Sequence, residues 1–141
     1  MDKDTQELEN EIQASTDIID YFEYNQKELG EICLTDYLAK LLKEKGLCRA
    51  EVIRSSGLDH SYANHIFSGR KIPGRDKLLR LVLALQCTEK EAQRLLYAAG
   101  HKGLYARSYR DSILLFAIKQ KMDVMDSNEL LYALGETPLN S

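Results

Sequence analysis

The stretch from Arg49 to Gly69, RAEVIRSSGLDHSYANHIFSG, constrains the fold more than any other part of this sequence. It reads as two short helices joined by a tight turn. The first runs from Arg49 to Ser55 or Ser56. Gly57 supplies the turn, because a residue without Cβ adopts positive φ at no steric cost. Asp59 is placed to cap the second helix, its carboxylate accepting a backbone N–H two or three residues on. Val52, Leu58 and Ile66 are apolar positions that pack the two helices together, and Gly69 ends the second helix just before Arg70 and Lys71. The pattern is a helix-turn-helix.

The remaining sequence points to an all-α fold. No run alternates apolar and polar residues with β-branched enrichment, so strand signals are absent. Hydrophobic residues make up 44% of the 141 residues and charged residues 29%, enough to bury a core in one domain with appendages. Leu34, Tyr37, Leu38, Leu41 and Leu42 fall on one helical stripe between Leu34 and Lys45, with Thr35 as a cap and Gly46 as a stop. Arg75 to Leu85 carries Leu78, Leu79, Leu81, Val82 and Leu85. Thr88 to Ala99 follows, with Thr88 and Glu91 spaced as a capping box and Gly100 as a stop. Residues 15–29 suit a short amphipathic helix, with Ile18, Ile19, Phe22 and Leu29 on one face. That helix either completes the core or serves as a regulatory arm or dimer contact.

Residues 105–139 repeat part of what precedes them. At an offset of 35, RDKLLRLVLALQ falls on RDSILLFAIKQK and QRLLYAAGHKGL falls on NELLYALGETPL. Arg75/Arg110, Asp76/Asp111, Leu79/Leu114, Leu95/Leu130, Leu96/Leu131, Tyr97/Tyr132, Ala98/Ala133, Gly100/Gly135 and Leu104/Leu139 are identical pairs. A second αα-hairpin is therefore predicted, stacked beside the first. It should bury Ile113, Leu114, Phe116, Ala117, Leu130, Leu131 and Leu134, and Tyr97 and Tyr132 should serve packing.

Charge is distributed unevenly. Residues 1–34 hold ten acids against Lys3 and Lys27, residues 35–100 hold twelve Lys/Arg against seven acids, and residues 101–141 hold five of each, for a net charge of −3. A basic segment thus follows an acidic arm. Lys40, Lys43, Lys45, Arg54, Lys77 and Arg80 read mainly as solvated faces, about a third of them touching phosphate if the partner is nucleic acid. Cys33, Cys48 and Cys87 are isolated and odd in number, which suits a reducing cytoplasm and no disulfide framework. The N-terminal residues lack secretory character, and the longest apolar run, Ile113 to Ile118, is too short to cross a bilayer. No cofactor or metal is expected. His60 and His65 stand about 140° apart on a helix and have no third ligand in the pattern. No nucleophile elbow, P-loop, HExxH or dinucleotide fingerprint points to an enzyme.

Helix, Gly-Leu, helix, Gly, helix, Gly-Arg-Lys, Pro, helix, helix is also the layout of a known family. The segment KEKGLCRAEVIRSSGLDHSYANHIFSGRKIPGRDKLLRLVLALQCTEKEAQRLL resembles the lambda-repressor-like, XRE-type helix-turn-helix domain over about residues 34–100. The resemblance rests on the apolar spacing, on Gly46, Gly57 and Gly69, and on Pro73 before the fourth helix. Departures are Ile53 where the family usually has a small Ala, Arg49 where a Gln commonly opens the first motif helix, and a second motif helix without Lys or Arg. The implied organisation is an acidic N-terminal arm with a short helix (1–33), a five-helix repressor-like domain (34–100) and an appended αα-hairpin (105–139) repeating residues 70–104.

The resemblance implies a cytoplasmic, sequence-specific regulator of transcription that lays the Asp59 to Ser68 helix in the major groove of double-stranded DNA. Carried over by position, His60, Ser61 and His65 would read base edges, with Tyr62 and Asn64 beside them. Arg49, Ser68, Arg70 and Lys71 would hold phosphates. Two copies would read two half-sites, paired as a homodimer through the C-terminal hairpin or the N-terminal helix, while the acidic arm could lie over the basic face and hold off DNA. A recognition helix reading HSYANHIF cannot make the common Arg–guanine pair, and it equally suits a protein-interaction adaptor with little DNA affinity.

Overall fold

Asp59, Thr88, Ser108 and Asp123 cap the helices that follow them, whereas the helices that begin at Arg49 and Arg75 have no side-chain cap, and Thr35, expected as a cap, lies inside the first helix. The computed structural model describes residues 33–139, which form seven helices and no strand among the described residues. They are α1 (Leu34–Lys45), α2 (Arg49–Ser56), α3 (His60–Ser68), α4 (Arg75–Ala84), α5 (Glu89–Ala98), α6 (Tyr109–Lys119) and α7 (Val124–Ala133). The helix expected within residues 15–29 and the acidic arm as a whole lie outside the described residues. No helix among the described residues is long and apolar enough to cross a membrane.

The apolar stripe of α1 is buried at Leu34, Tyr37, Leu38 and Leu41. α1 packs on α3 and α5, and α2 packs on α3 and most extensively on α4. Leu38, Leu41, Ile66, Leu78, Leu79, Leu81, Leu85, Leu95 and Leu96 are almost fully buried there, so leucine volume fills most of this core. Pro73 is buried in the loop ahead of α4, where its carbonyl sits 2.7 Å from Nε2 of His101.

Gly57 is required by its backbone conformation, and the Arg80 guanidinium closes over it. Its φ is +69°, and a Cβ built on it would lie 2.5 Å from Nη2 of Arg80. Arg80 donates from Nε to the Ser56 carbonyl (2.8 Å) and from Nη1 to the Leu139 carbonyl (3.4 Å). One side chain therefore satisfies a carbonyl at the end of α2 and ties the chain's last described residue to it. Arg80 is not a solvated surface cation, and burial lowers its pKa. Lys45 is also held in the structure, by the Gln86 carbonyl (3.3 Å) and by the Glu91 carboxylate (2.9 Å).

Positions 35 apart share local geometry. Gly100 and Gly135 both have φ +81°, and the non-glycine residues Gln86 and Lys121 both turn left-handed, at φ +54° and +57°. Thr88 and Asp123 both cap the second helix of their pair by accepting the N–H three residues on. Gln93 Oε1 accepts the Leu104 N–H (2.6 Å), and Asn128 Oδ1 accepts the Leu139 N–H (2.7 Å). Arg75 donates to the Lys102 carbonyl (3.2 Å), and Arg110 donates to the Thr137 carbonyl (3.0 Å).

The two hairpins meet crosswise rather than by simple side-by-side stacking: α4 touches α7, and α5 touches α6. Each Arg-Asp pair is exchanged across this junction. Arg75 binds Asp111 with both Nη atoms (3.0 and 2.9 Å), and Arg110 binds Asp76 in the same way (2.9 and 3.1 Å). Residue i of one element meeting residue j of the other, and j meeting i, is the signature of a two-fold relation, here within one chain. Ile113, Leu114, Ala117, Ile118, Val124 and Leu131 are buried as this junction requires. Phe116 (53% exposed) and Leu134 (44%) are not, against the sequence expectation, and Leu130 is only half-buried. Tyr97 and Tyr132, expected to pack, are exposed as well. Their shared position lies on the outer side of the second helix in each pair, away from the junction.

Candidate nucleic-acid interface

α3 is short, and its environment fixes which side is presented. Asp59 caps it by accepting the Tyr62 N–H (3.0 Å), and Gly69 (φ +85°) ends it. Ala63 and Ile66 are buried against α1 and α2. With about 100° between successive residues, the side opposite Ala63 and Ile66 carries Ser61, Asn64, His65 and Ser68, with His60 at its edge. His60, Ser61 and Ser68 are exposed, and Asn64 and His65 are half-buried. The Ser68 hydroxyl donates to the His65 carbonyl (3.2 Å), which also receives the N–H groups of Arg70 and Lys71 (2.9 and 3.2 Å). Five of the nine residues expected at the site thus form one continuous polar surface.

The other four stand at its flanks. Tyr62 and Phe67 lie on opposite shoulders of α3, between the buried and the outward side. The Arg49 guanidinium sits 5.0 Å from the centroid of the Phe67 ring and donates from Nη2 to the Asn64 carbonyl (3.1 Å). It therefore leans from the start of α2 over α3 instead of projecting alone. On the other shoulder, Lys77 Nζ lies 4.5 Å and Lys71 Nζ 5.7 Å from the centroid of the Tyr62 ring. A cation over a ring face is attracted by the quadrupole, at about 0.5–1 kcal/mol in exposed settings. Each aromatic shoulder thus seats a cation. Arg70 is exposed in the loop after α3, followed by Ile72, which is 71% exposed.

Phe67 and Lys77 join the nine residues expected at the site. Lys77 read only as one of six basic residues on mainly solvated faces: it lies 15 residues from Tyr62, and the loop at Arg70 to Gly74 must fold back before the two meet. Phe67 was not among the expected contacts, and its ring is the seat of Arg49. Ser55 and Ser56 belong to the turn. The Ser56 hydroxyl donates to the Ile53 carbonyl (2.6 Å) and accepts the Leu58 N–H (3.2 Å). Compared with protein-family models, curated proteins and solved structures, the chain matches none.

Proposed function

We propose that this chain is a sequence-specific DNA-binding regulator of transcription, working in the cytoplasm, with residues 34–100 forming a repressor-like helix-turn-helix domain. The observation that carries the reading is the arrangement around α3. A polar side made of Ser61, Asn64, His65 and Ser68 is flanked by Arg49 on one shoulder and by Lys71 and Lys77 on the other. A helix in a major groove has base edges ahead of it and a phosphate backbone on each side. Asn pairs with adenine through two hydrogen bonds, and Ser and neutral His both donate and accept. His60, Ser61 and His65 read bases with Tyr62 and Asn64 beside them, while Arg49, Ser68, Arg70, Lys71 and Lys77 hold phosphates. This is recognition by binding, with no catalytic step.

Selection from random-sequence duplexes tests it. A palindromic motif with half-sites about one helical turn apart is the expected product. Arg49→Ala then weakens binding to every duplex, and His65→Ala changes the preferred sequence. Lys77→Ala reduces the slope of log affinity against log salt by about 1. Variants that bind every duplex as the parent does would remove these residues from the interface.

The second reading, a protein-interaction adaptor on the same scaffold, has two observations in its favour. α3 carries no Lys or Arg, and the exposed Ile72 adds apolar surface next to the cationic loop. Recovery of no sequence at low salt selects this reading.

A further inference from the structure

The two hairpins can be compared position by position, and the comparison exposes a surface. Leu78, Leu79, Val82 and Leu83 are buried in α4, and so are their equivalents Ile113, Leu114, Ala117 and Ile118 in α6. These positions face inward in both hairpins. A second set is buried only in the first hairpin: Leu81, Leu95 and Ala99. Their equivalents are Phe116, Leu130 and Leu134, which are exposed or half-buried. The first hairpin has cover that the second lacks among the described residues, because α2 lies on α4 and α1 lies on α5. The second hairpin thus keeps large apolar side chains where the first hairpin uses apolar side chains to seat other helices.

We propose that this face of α6 and α7 is where a second copy of the chain docks. Three features specify the occupant. Phe116, Leu130 and Leu134 form a face that two copies can present to each other, as an isologous contact requires. The rim is complementary to itself. Lys119 lies one turn beyond Phe116 on α6, Asp126 lies one turn before Leu130 on α7, and both are exposed. The Tyr109 hydroxyl donates to the Leu134 carbonyl (3.1 Å), setting the start of α6 beside the end of α7. Lys119 and Asp126 then fall near the hairpin's turn, on opposite outer edges of the face. A two-fold axis running along the hairpin lays Lys119 of one copy against Asp126 of the other. Finally, a reader of palindromic DNA needs two domains related by a two-fold. In that last respect the proposal rests on the DNA reading, but its test involves no DNA.

Sedimentation equilibrium of the full chain is expected to show a dimer. Phe116→Glu should raise its dissociation constant about 100-fold, the scale at which a buried aromatic anchor contributes. Lys119→Glu should weaken the dimer, and Lys119→Glu with Asp126→Lys should restore it. That restoration is a response that general destabilisation does not produce. Circular dichroism melts of each variant, expected near the parent's because these side chains are exposed in the monomer, confirm that the fold is retained. A chain that stays monomeric at every concentration overturns the proposal. A dimer indifferent to Phe116→Glu also overturns it. A dimer that responds as described, from a chain whose duplex selection recovers nothing, upholds the surface while ending the DNA reading.

Discussion

The hairpins α4–α5 and α6–α7 share their turns, the capped start of their second helix and Arg-Asp dipeptides, yet they use the last at different depths. Asp111 has 5% side-chain exposure where it meets Arg75, whereas Asp76 has 35% where it meets Arg110. Asp111 also accepts the Tyr105 N–H (3.0 Å), and Arg75 also donates to the Gly103 carbonyl (2.9 Å). The same two residue types, in the same register, thus build a buried lock on one side of the junction and a half-exposed pair on the other. Chemical identity does not set the energetic role of an ion pair. The removal of water around it does.

The largest expected effect tests that difference directly. Arg75→Ala leaves the Asp111 carboxylate buried without its cation and should cost roughly 3 kcal/mol. Arg110→Ala leaves Asp76 in contact with water and should cost about 1 kcal/mol or less. Urea unfolding of both variants measures the two losses. Equal losses would mean that the two locks are energetically alike in spite of their depth.

Acid should act on the deeper lock. Burial alone pushes the Asp111 carboxyl up, but hydrogen bonds from Arg75 and the Tyr105 N–H, with the Arg75 charge, outweigh it and leave the pKa below its ordinary 3.8. A carboxyl whose folded pKa is depressed binds fewer protons folded than unfolded near that value. Its contribution is complete above the unfolded pKa and is lost as pH falls through the folded one. Stability of the parent should therefore decline as pH drops through about 4. Glu91 is lowered too, so part of the decline belongs to the first hairpin's capping box. Asp111→Asn should flatten the curve without abolishing its slope. Parallel curves for variant and parent would deny Asp111 any share in acid unfolding.

Local chemistry was legible in the sequence, and depth was not. Asp59, Thr88 with Glu91, and Gly57 act where their spacing placed them, because a cap or a positive-φ turn depends on neighbours a few residues away. The stripe of α1 was equally readable from its period. Phe116 and Leu134 were misjudged because apolar identity indicates a tendency to be covered, while cover itself comes from elements far along the chain. The crosswise exchange of Arg-Asp pairs was hidden for a related reason. The repeat placed Arg75 and Asp111 at corresponding ends of two hairpins, but an identity between positions does not say which positions touch. At α3 the sequence supplied the polar side, while the seating of Lys77 and Lys71 on Tyr62 required the loop between Gly69 and Arg75 to be folded.

Ser127 gives the smallest and sharpest form of the comparison. Its equivalent in the first hairpin is Ala92, and both are buried. The Ser127 hydroxyl is enclosed without a hydrogen-bond partner among the described residues. A buried hydroxyl that loses water and gains nothing in return is destabilising, by about 1–3 kcal/mol in mutational series. Alanine removes that group and is the better helix former. Ser127→Ala should therefore stabilise the chain by about 1 kcal/mol, read as a higher urea midpoint with an unchanged slope. The reverse change, Ala92→Ser, should destabilise by a similar amount at the equivalent place. If Ser127→Ala lowers the midpoint instead, the hydroxyl has a partner in solution, and the two hairpins differ in polarity at this position for a structural reason.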